Sequence, residues 1–547
     1  MKAKRYFSII LLSLFFSVYE KANAQAPDWL WAKAMGGIDY DYGYSTALDP
    51  AGSGDVYTTG RFAGTVDFDP GAGVFNLTSP GGYDIFISKL DASGNFIWAK
   101  AMGGTGECSG NSIAIDPAGN GDVYITGYFY GAVDFNPDSS GNFNLTSAGQ
   151  YDIFISKLDS SGNFVWAKRI GGTSYDHPNS IALDPAGSGD VYTTGSFAGT
   201  VDFDPDSSGT FNLTSSGSYD IFISKLNDSG NFIWAKAMGG TGEGFGHFIV
   251  LDPAGSEDVY TTGSFQGTVD FDPDSSGSFN LTSAGQDDIF ISKLDSSGNF
   301  VWAKAMGATS YDAGQSIAVD VSGNVYTTGS FAGTVDFDPD SSGNFNLTSA
   351  GAFDIFISKF DTSGNLVWAK AMGGTDTEKG WSIAIDPAGS GDVYTTGYFS
   401  GTADFDPDSS GNFNLTFAGH DDIFISKLDS SGNFVWAKAI GGTSYDYAQS
   451  IVLDALGNVY MTGYFSSASI SFGSTTLTNA NNSGNYADIF VAKLDTELAT
   501  GYNEMENLDK SMFLFPNPAS DKITLSFSSS GKKEIQITNM LRTSNYY

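Results

Sequence analysis

Alternating aspartates, which recur in the motif Asp-Phe-Asp-Pro-Asp, are the clearest set of side chains able to do chemistry in this sequence. Alternate side chains of an extended segment project to one side, and calcium prefers several carboxylate oxygens in such a site. The motif therefore predicts calcium ligands, although the glycine and glutamate positions of an EF-hand loop are not matched. A solvated strand with Phe inward and Asp outward is the alternative. The predicted ligands are Asp202, Asp204, Asp206, Asp270, Asp272, Asp274, Asp336, Asp338, Asp340, Asp404, Asp406 and Asp408.

Patterns typical of catalysis are sparse. The three histidines, His177, His247 and His420, lie at different positions of the repeat described below. Only His177 follows an acid, Asp176, and no nucleophile elbow, zinc-binding helix motif or phosphate-binding glycine loop occurs in the sequence. We therefore predict a protein without enzymatic activity. The alternative is a hydrolase or lyase of extracellular polysaccharide, which would need close, buried carboxylates or paired histidines at one site.

One segment, shortly after each Trp-Ala-Lys motif, differs between copies that otherwise agree. Two of its versions are Thr173-Ser-Tyr-Asp-His-Pro-Asn179 and Thr375-Asp-Thr-Glu-Lys-Gly-Trp381, and we place them in loops between blades. Aromatic and polar side chains there suit a sugar or peptide ligand, although relaxed constraint on exposed loops also explains the variation. The predicted ligand-binding residues are Tyr40, Tyr42, Tyr175, Asp176, His177, Tyr311, Trp381, Tyr445 and Tyr447.

All of these residues lie on a long internal repeat. The tryptophan of the Trp-Ala-Lys motif recurs every 66 to 68 residues, at Trp31, Trp98, Trp166, Trp234, Trp302, Trp368 and Trp436. Self-similarity at a fixed period indicates a repeat architecture, in which each unit packs on the next. The same repetition leaves little room for a single active site.

Each unit contains four predicted strands. In the third copy they are residues 180–184, 191–197, 220–226 and 231–236, which are rich in β-branched and aromatic residues and are bounded by Gly, Asp, Asn or Ser. A longer arm between the second and third strands holds two further extended pieces, which in this copy are residues 200–203 and 211–214. Four-stranded antiparallel units repeated in this way are typical of a β-propeller.

The two ends of the repeat predict how the ring closes. The repeat begins with a fourth strand, Trp29–Lys33, and ends with a third strand, Asp488–Leu494. Joined, these fragments complete one blade, whereas an open β-solenoid gives no reason for such ends. We therefore predict an all-β fold, with a seven-bladed β-propeller over residues 25–495 that is closed by its N- and C-terminal strands.

Composition restricts the partners and the compartment. The net charge of −36 disfavours nucleic acid and anionic membrane surfaces, and favours cations or neutral partners. Residues 1–24 are typical of a signal peptide, because a basic start and a short apolar run precede Ala22-Asn23-Ala24. No later segment is apolar enough to span a membrane, so we predict a secreted or cell-surface protein. Cys108 is the only cysteine.

Two stretches resemble known bacterial families. The sequence Asp-Ile-Phe-Ile-Ser-Lys-Leu, with the Trp-Ala-Lys and Gly-Asn-Val-Tyr motifs, resembles the SBBP family of bacterial β-propeller repeats over residues 28–495. After a linker at 496–511, residues 512–547 with Pro516-Asn-Pro-Ala-Ser-Asp521 resemble the type A sorting domain of the type IX secretion system of Bacteroidota. That resemblance implies a small β-sandwich, here partial because the chain ends after Arg542–Tyr547, and the type IX machinery as a partner.

These observations predict an exported propeller that acts as a binding or surface-structural module for a glycan or protein ligand. A calcium-stabilised adhesin is a further alternative, with calcium as the only expected cofactor.

Overall fold

A computed structural model describes residues 27–495, except for 139–140, 207–208, 275, 341–342, 409–410 and 482–485, together with the backbone of two short strands near the C-terminus. The predicted signal peptide, the linker and nearly all of the predicted sorting domain lie outside the described residues. The two C-terminal strands, Phe513–Phe515 and Thr524–Ser526, pair antiparallel within a separate unit at 499–547. The sorting-domain assignment therefore stays a prediction.

Seven four-stranded antiparallel sheets form the propeller, and no helix is present among the described residues. The inner strands are Asp41–Leu48, Cys108–Ile115, Asp176–Leu183, Gly244–Leu251, Ala313–Val319, Glu378–Ile385 and Asp446–Leu453. The second strands are Val56–Phe62, Val123–Phe129, Val191–Phe197, Val259–Phe265, Val325–Phe331, Val393–Phe399 and Val459–Phe465. The third strands are Asp84–Leu90, Asp152–Leu158, Asp220–Leu226, Asp288–Leu294, Asp354–Phe360, Asp422–Leu428 and Asp488–Leu494. The outer strands are Phe96–Gly104, Phe164–Ile170, Phe232–Gly240, Phe300–Met306, Leu366–Gly374, Phe434–Ile440 and Trp29–Met35.

The seventh blade closes the ring as the sequence predicted. Its outer strand, Trp29–Met35, pairs antiparallel with the third strand, Asp488–Leu494, although the two come from opposite ends of the repeat. The inner strand of the first blade, Asp41–Leu48, then follows directly. The prediction of seven blades joined by the terminal strands is confirmed.

The arm between the second and third strands forms a small hairpin in every blade. The hairpin strands are Thr65–Asp67 with Asn76–Thr78, Ala132–Asp134 with Asn144–Thr146, Thr200–Asp202 with Asn212–Thr214, Thr268–Asp270 with Asn280–Thr282, Thr334–Asp336 with Asn346–Thr348, Thr402–Asp404 with Asn414–Thr416, and Ser469–Phe472 with Thr475–Thr478. Several hairpins pair with the outer strand of the preceding blade, as Val133 does with Gly104. The arms therefore join neighbouring blades.

Apolar side chains fill the space between adjacent sheets. The third strand is buried along nearly its whole length, as in Asp152–Leu158, because it has a neighbouring sheet on each face. Buried clusters combine residues of consecutive blades, for example Tyr124 and Ile155 of one blade with Val191 and Phe222 of the next. None of the described segments is a helix long and apolar enough to cross a membrane.

An outer belt of polar contacts repeats around the rim. The indole nitrogen of the Trp-Ala-Lys motif donates to a backbone carbonyl in the turn between the third and outer strands of the next blade, as Trp166 does to Asp228 at 3.0 Å. The lysine two residues later pairs with the arm of the next blade, as Lys168 does with Asp206 at 2.7 Å. The equivalent ion pairs are Lys100–Asp138, Lys236–Asp274, Lys304–Asp340 and Lys370–Asp408.

Candidate ligand-binding mouth of the central channel

A β-bulge in each inner strand places one side chain in the channel wall. The pairing of inner and second strands skips one residue at the same point in every blade, for example Tyr44 between Gly43 and Ser45. A bulge residue has no partner in the ladder, so its side chain can be aimed differently from its neighbours. The seven channel residues are Tyr44, Asn111, Asn179, His247, Gln315, Trp381 and Gln449. All seven line one cavity of about 350 Å³.

Some channel residues are fixed by the neighbouring blade. The Asn111 and Asn179 amides donate to the carbonyls of Pro178 and Gly246 at 2.9 and 2.8 Å. His247 Nδ1 lies 2.9 Å from the Gly314 carbonyl. By contrast, the Trp381 indole nitrogen is buried without a hydrogen-bond partner.

The mouth of the channel lies where the inner strands begin, and its wall is different on its two sides. Residues that pair across the inner and second strands form this wall, for example Tyr42 with Arg61 and Tyr447 with Tyr464. The second-strand position is Arg61, Tyr128, Tyr398 or Tyr464 in four neighbouring blades, and Ser196, Ser264 or Ser330 in the other three. At the second-strand position, one side of the mouth therefore has large side chains, three of them aromatic, and the other side has serines.

A ladder of parallel tyrosines leads into the cavity on the aromatic side. The ring centroids of Tyr40 and Tyr42 are 5.8 Å apart, those of Tyr42 and Tyr44 are 6.0 Å apart, and the ring planes of both pairs are nearly parallel. Alternate residues of one strand share a face, which explains the spacing. Tyr464 packs edge-on against Tyr42 at 4.7 Å. Burial raises the pKa of Tyr464 to about 12, so the ring is neutral at physiological pH.

Arg61 lies inside this aromatic cluster. Its guanidinium carbon is 4.2 Å from the ring centre of Tyr83 and 5.0 Å from that of Tyr42. Its Nη1 donates to the Tyr128 hydroxyl at 3.2 Å, and Arg61 also lines the cavity. Stacking of this kind stabilises a guanidinium away from bulk water.

The structure brings most of the predicted ligand-binding residues to the mouth, in three groups. Tyr40 and Tyr42 belong to the ladder. Tyr175 stacks on His177, which packs on Tyr128 at 5.3 Å. Tyr445 stacks on Tyr447, which packs on Tyr464 at 5.3 Å. Trp381 lines the cavity itself.

Two predicted residues do not belong to these groups. Tyr311 is 53% exposed and makes no ring contact with any residue in the described part of the chain. Asp176 is fully buried, and its carboxylate accepts hydrogen bonds from the backbone nitrogens of Gly172 and Ala198 at 2.8 and 3.2 Å. Asp176 therefore holds the chain together below the mouth.

The placement of the variable segment in loops is partly wrong. Tyr42, Asp176, His177, Trp381 and Tyr447 lie within the inner strands, which begin about four residues earlier than the sequence indicated. Gly, Asp and Pro in these stretches have low β propensity. Ladder pairing with the second strand decides the conformation instead.

Buried carboxylates meet in pairs where adjacent blades join near the mouth. Asp41 begins one inner strand and Asp488 begins the third strand of the preceding blade, and the charge of Asp488 adds to the rise in the pKa of Asp41 that burial causes. Asp488 Oδ2 accepts from Ala480 N at 2.7 Å, and its Oδ1 has no partner. A Cβ at Gly36 would lie 2.2 Å from Asp488 Cγ, which explains why glycine follows the outer strand.

These pairs occur at five of the seven junctions of the propeller. The others are Asp152–Asp176, Asp288–Asp312, Asp354–Glu378 and Asp422–Asp446. At the remaining two junctions, Asp84 lies beside Cys108, and glycine, Gly244, takes the place of the second acid in the blade after Asp220. Burial raises the pKa of Asp41 to about 8 and that of Asp488 to about 7. Close, buried carboxylates would have favoured an enzyme, but these are repeated and are fully buried. Their hydrogen bonds to backbone nitrogens give them a structural role.

The aspartates of the arms make local contacts. Asp202 Oδ1 accepts from the backbone nitrogens of Asp204 and Phe211 at 3.1 and 2.8 Å. Asp204 Oδ1 accepts from the nitrogen of Asp206, whose own carboxylate pairs with Lys168 in the outer belt. Within the described ranges, no group of three or more His, Cys, Asp or Glu side chains is gathered around one point as a metal ion requires. Calcium binding at these residues stays a prediction.

Arg61, Tyr83, Tyr128 and Tyr464 are mouth residues that sequence reasoning missed. For Arg61, Tyr128 and Tyr464, the signal lies in the second strand rather than in the variable segment after Trp-Ala-Lys. The residue before the conserved Phe that ends this strand varies among Arg, Tyr and Ser between copies.

Comparison with known proteins agrees with the repeat assignment. A family model described as the SBBP beta-propeller repeat matches residues 435–464, which include the first two strands of the seventh blade. The uncharacterized WD repeat-containing protein L264 of Acanthamoeba polyphaga mimivirus is 25% identical over 517 residues, which cover 81% of this chain and 36% of that protein. Regulatory protein FlaEY of Caulobacter vibrioides is 26% identical over 152 residues, covering 27% of this chain and 14% of that protein.

The chain thus spans little more than a third of the first of these curated relatives, and less of the second. Among solved structures, Sqt1 from Chaetomium thermophilum is 12% identical with a TM-score of 0.41, covering 86% of this chain and 98% of that one.

Proposed function

We propose that this chain is an exported, non-enzymatic β-propeller that binds its ligand at the mouth of the central channel. The observation that carries this proposal is the set of seven channel residues, which differ from blade to blade on an otherwise repeated framework. A ligand without sevenfold symmetry needs such an asymmetric surface. The aromatic side of the mouth supplies ring faces, and the amide side chains supply hydrogen bonds.

A binding test compares two tyrosines from variable segments of the repeat. The full chain is applied to arrays of glycans and of peptides, as wild type, Tyr42→Ala and Tyr311→Ala. We expect signals that Tyr42→Ala removes and Tyr311→Ala retains, because Tyr42 belongs to the ladder and Tyr311, in the fifth blade, is exposed and stacks on no other ring of the described residues. Signals that survive Tyr42→Ala, or no signal on either array, would contradict the proposal.

Export through the type IX system is the second part of the proposal. It rests on the signal-like residues 1–24 and on the sorting-domain resemblance of residues 512–547. In a host that has the type IX system, we expect the full chain at the cell surface or in the medium. Removal of residues 512–547 should retain the protein inside the outer membrane. Equal export of both forms would contradict this route.

A further inference from the structure

No acid among the described residues forms an ion pair with Arg61. The groups whose charge most affects it are Tyr44, Tyr128, Tyr83 and Tyr42, and no carboxylate is among them. Its Nε is buried without an acceptor. The other described arginine, Arg169, forms an ion pair with Asp152 at 2.6 Å. In a chain with 62 acidic and 26 basic side chains, an arginine without an acid beside it stands out.

A guanidinium in this position favours an anionic partner. Removing a charge from water is costly unless the charge is paired, and the tyrosine rings compensate only part of that cost. Arginine matches the planar geometry of a carboxylate, to which it donates two parallel hydrogen bonds. Because Arg61 lines the cavity, a carboxylate entering the mouth is the partner that its chemistry selects.

The surroundings of Arg61 favour a sugar as the carrier of that carboxylate. The outermost ring of the ladder, Tyr40, is 37% exposed and suits the apolar face of a pyranose ring. Gln315 and Gln449 offer hydrogen bonds to hydroxyl groups around the same cavity. The net charge of −36 repels a polyanion, so a ligand with a single carboxylate is favoured over a long acidic polymer.

We propose that the mouth binds a sugar bearing one carboxylate, such as a terminal uronate, with the carboxylate on Arg61 and the sugar ring on the tyrosine ladder. This inference rests on the proposed binding function of the mouth and names its ligand class.

The test measures the binding of glucuronate and of glucose to the full chain, by calorimetry or ligand-observed NMR. We expect glucuronate to bind about tenfold more tightly or better, because a hydrogen bond to a charged group contributes about 1.5–3 kcal/mol. Arg61→Gln should remove this preference, and Arg61→Lys should retain only part of it, because lysine keeps the charge without the planar fork. Tyr311→Ala is the matched control and should bind as the wild type does.

The outcomes separate this inference from the proposed function. If glucuronate and glucose bind equally well and Tyr42→Ala abolishes both, the proposed carboxylate contact is wrong, but the proposal that the mouth binds a ligand stands. A preference for glucuronate that survives Arg61→Gln would also overturn the assignment to Arg61. If array signals depend on Tyr42 but neither sugar binds, only the proposed sugar ligand is wrong. If both tests fail, both proposals are wrong. Unfolding midpoints of the Arg61 variants close to that of the wild type would exclude misfolding as the cause.

Discussion

The outer belt of the propeller repeats the same contacts from blade to blade, whereas the mouth presents a different side chain in each blade. At the belt, Trp166 and Lys168 contact the next blade as most of their equivalents do. At the mouth, the equivalent bulge positions range from Asn111 to Trp381. Each blade thus combines a repeated interface with one variable position, so the ligand surface can change without disturbing the contacts that hold the ring.

We expect the largest effect on stability in the seventh blade, which is built from both ends of the repeat. Deleting Trp29–Met35 removes the outer strand of the seventh blade, including the buried Ala32 and Met35. We expect a loss of about 5 kcal/mol or more in the free energy of unfolding, measured by chemical denaturation. Deleting residues 499–547, which form a separate unit, is the control and should leave the propeller transition in place.

Single substitutions should separate the two regions by stability. Trp166→Ala removes a half-buried indole and its hydrogen bond to the next blade, so we expect a loss of about 2 kcal/mol. Gln315→Ala, at the channel, should cost less than about 0.5 kcal/mol. Comparable losses for the two variants would remove the distinction between belt and mouth.

The buried carboxylate pairs predict that stability falls as the pH rises from 5 to 8. The pKa of Asp41 is raised to about 8 and that of Asp488 to about 7, mainly by burial. The folded chain therefore holds protons that the unfolded chain releases. This stability is fully present below the unfolded pKa of about 4 and is lost as the pH passes through the folded values. Denaturation at pH 5 and at pH 8 should differ by several kcal/mol.

Asp488→Asn tests the assignment of this pH dependence. Asp488 Oδ1 has no partner, so an amide nitrogen there can donate towards Asp41 while the other oxygen keeps Ala480. We expect the variant to show a smaller difference between pH 5 and pH 8. Asp152→Asn is the contrasting variant, because burial raises the pKa of Asp152 but the ion pair with Arg169 offsets part of that rise. Unchanged pH dependence in Asp488→Asn would assign the effect to other groups.

The smallest effect should come from the ion pairs of the belt. Lys168→Met breaks the pair with Asp206, which is part-exposed, so we expect a loss of at most about 1 kcal/mol. Lys33→Met is the matched control, because the arm of the first blade has Gly71-Ala72-Gly73 where the others place the third aspartate. Equal losses in the two variants would show that the lysine stem, rather than its charge, contributes.

Calcium distinguishes the two roles considered for the arms. Calcium sites predict that the unfolding temperature rises with calcium and falls again with EDTA, and that Lys168→Met, by freeing Asp206, increases the rise. Aspartates committed to their backbone hydrogen bonds and lysines predict no change in either protein.

The ring was predictable from sequence because its contacts repeat. Trp31 and its equivalents define the period, and the half-units Trp29–Met35 and Asp488–Leu494 predict closure. The mouth was less predictable, because its geometry depends on bulges that only ladder pairing defines. Trp381 enters the channel and Asp176 is buried, although both lie in the same kind of variable segment. The variation at the position of Arg61 is visible in the sequence, but its role is not, since that role depends on tyrosines from other strands.

Closure by the two ends also sets an order on synthesis. The first six sheets have all four main strands as soon as their own stretches of chain are made, but Trp29–Met35 must wait for Asp488–Leu494. A chain cut at any point before residue 488 leaves that early strand without its hydrogen-bonding neighbour, with an open edge exposed to proteases and to other chains. The seventh blade is therefore complete only after translation has passed Asp488–Leu494.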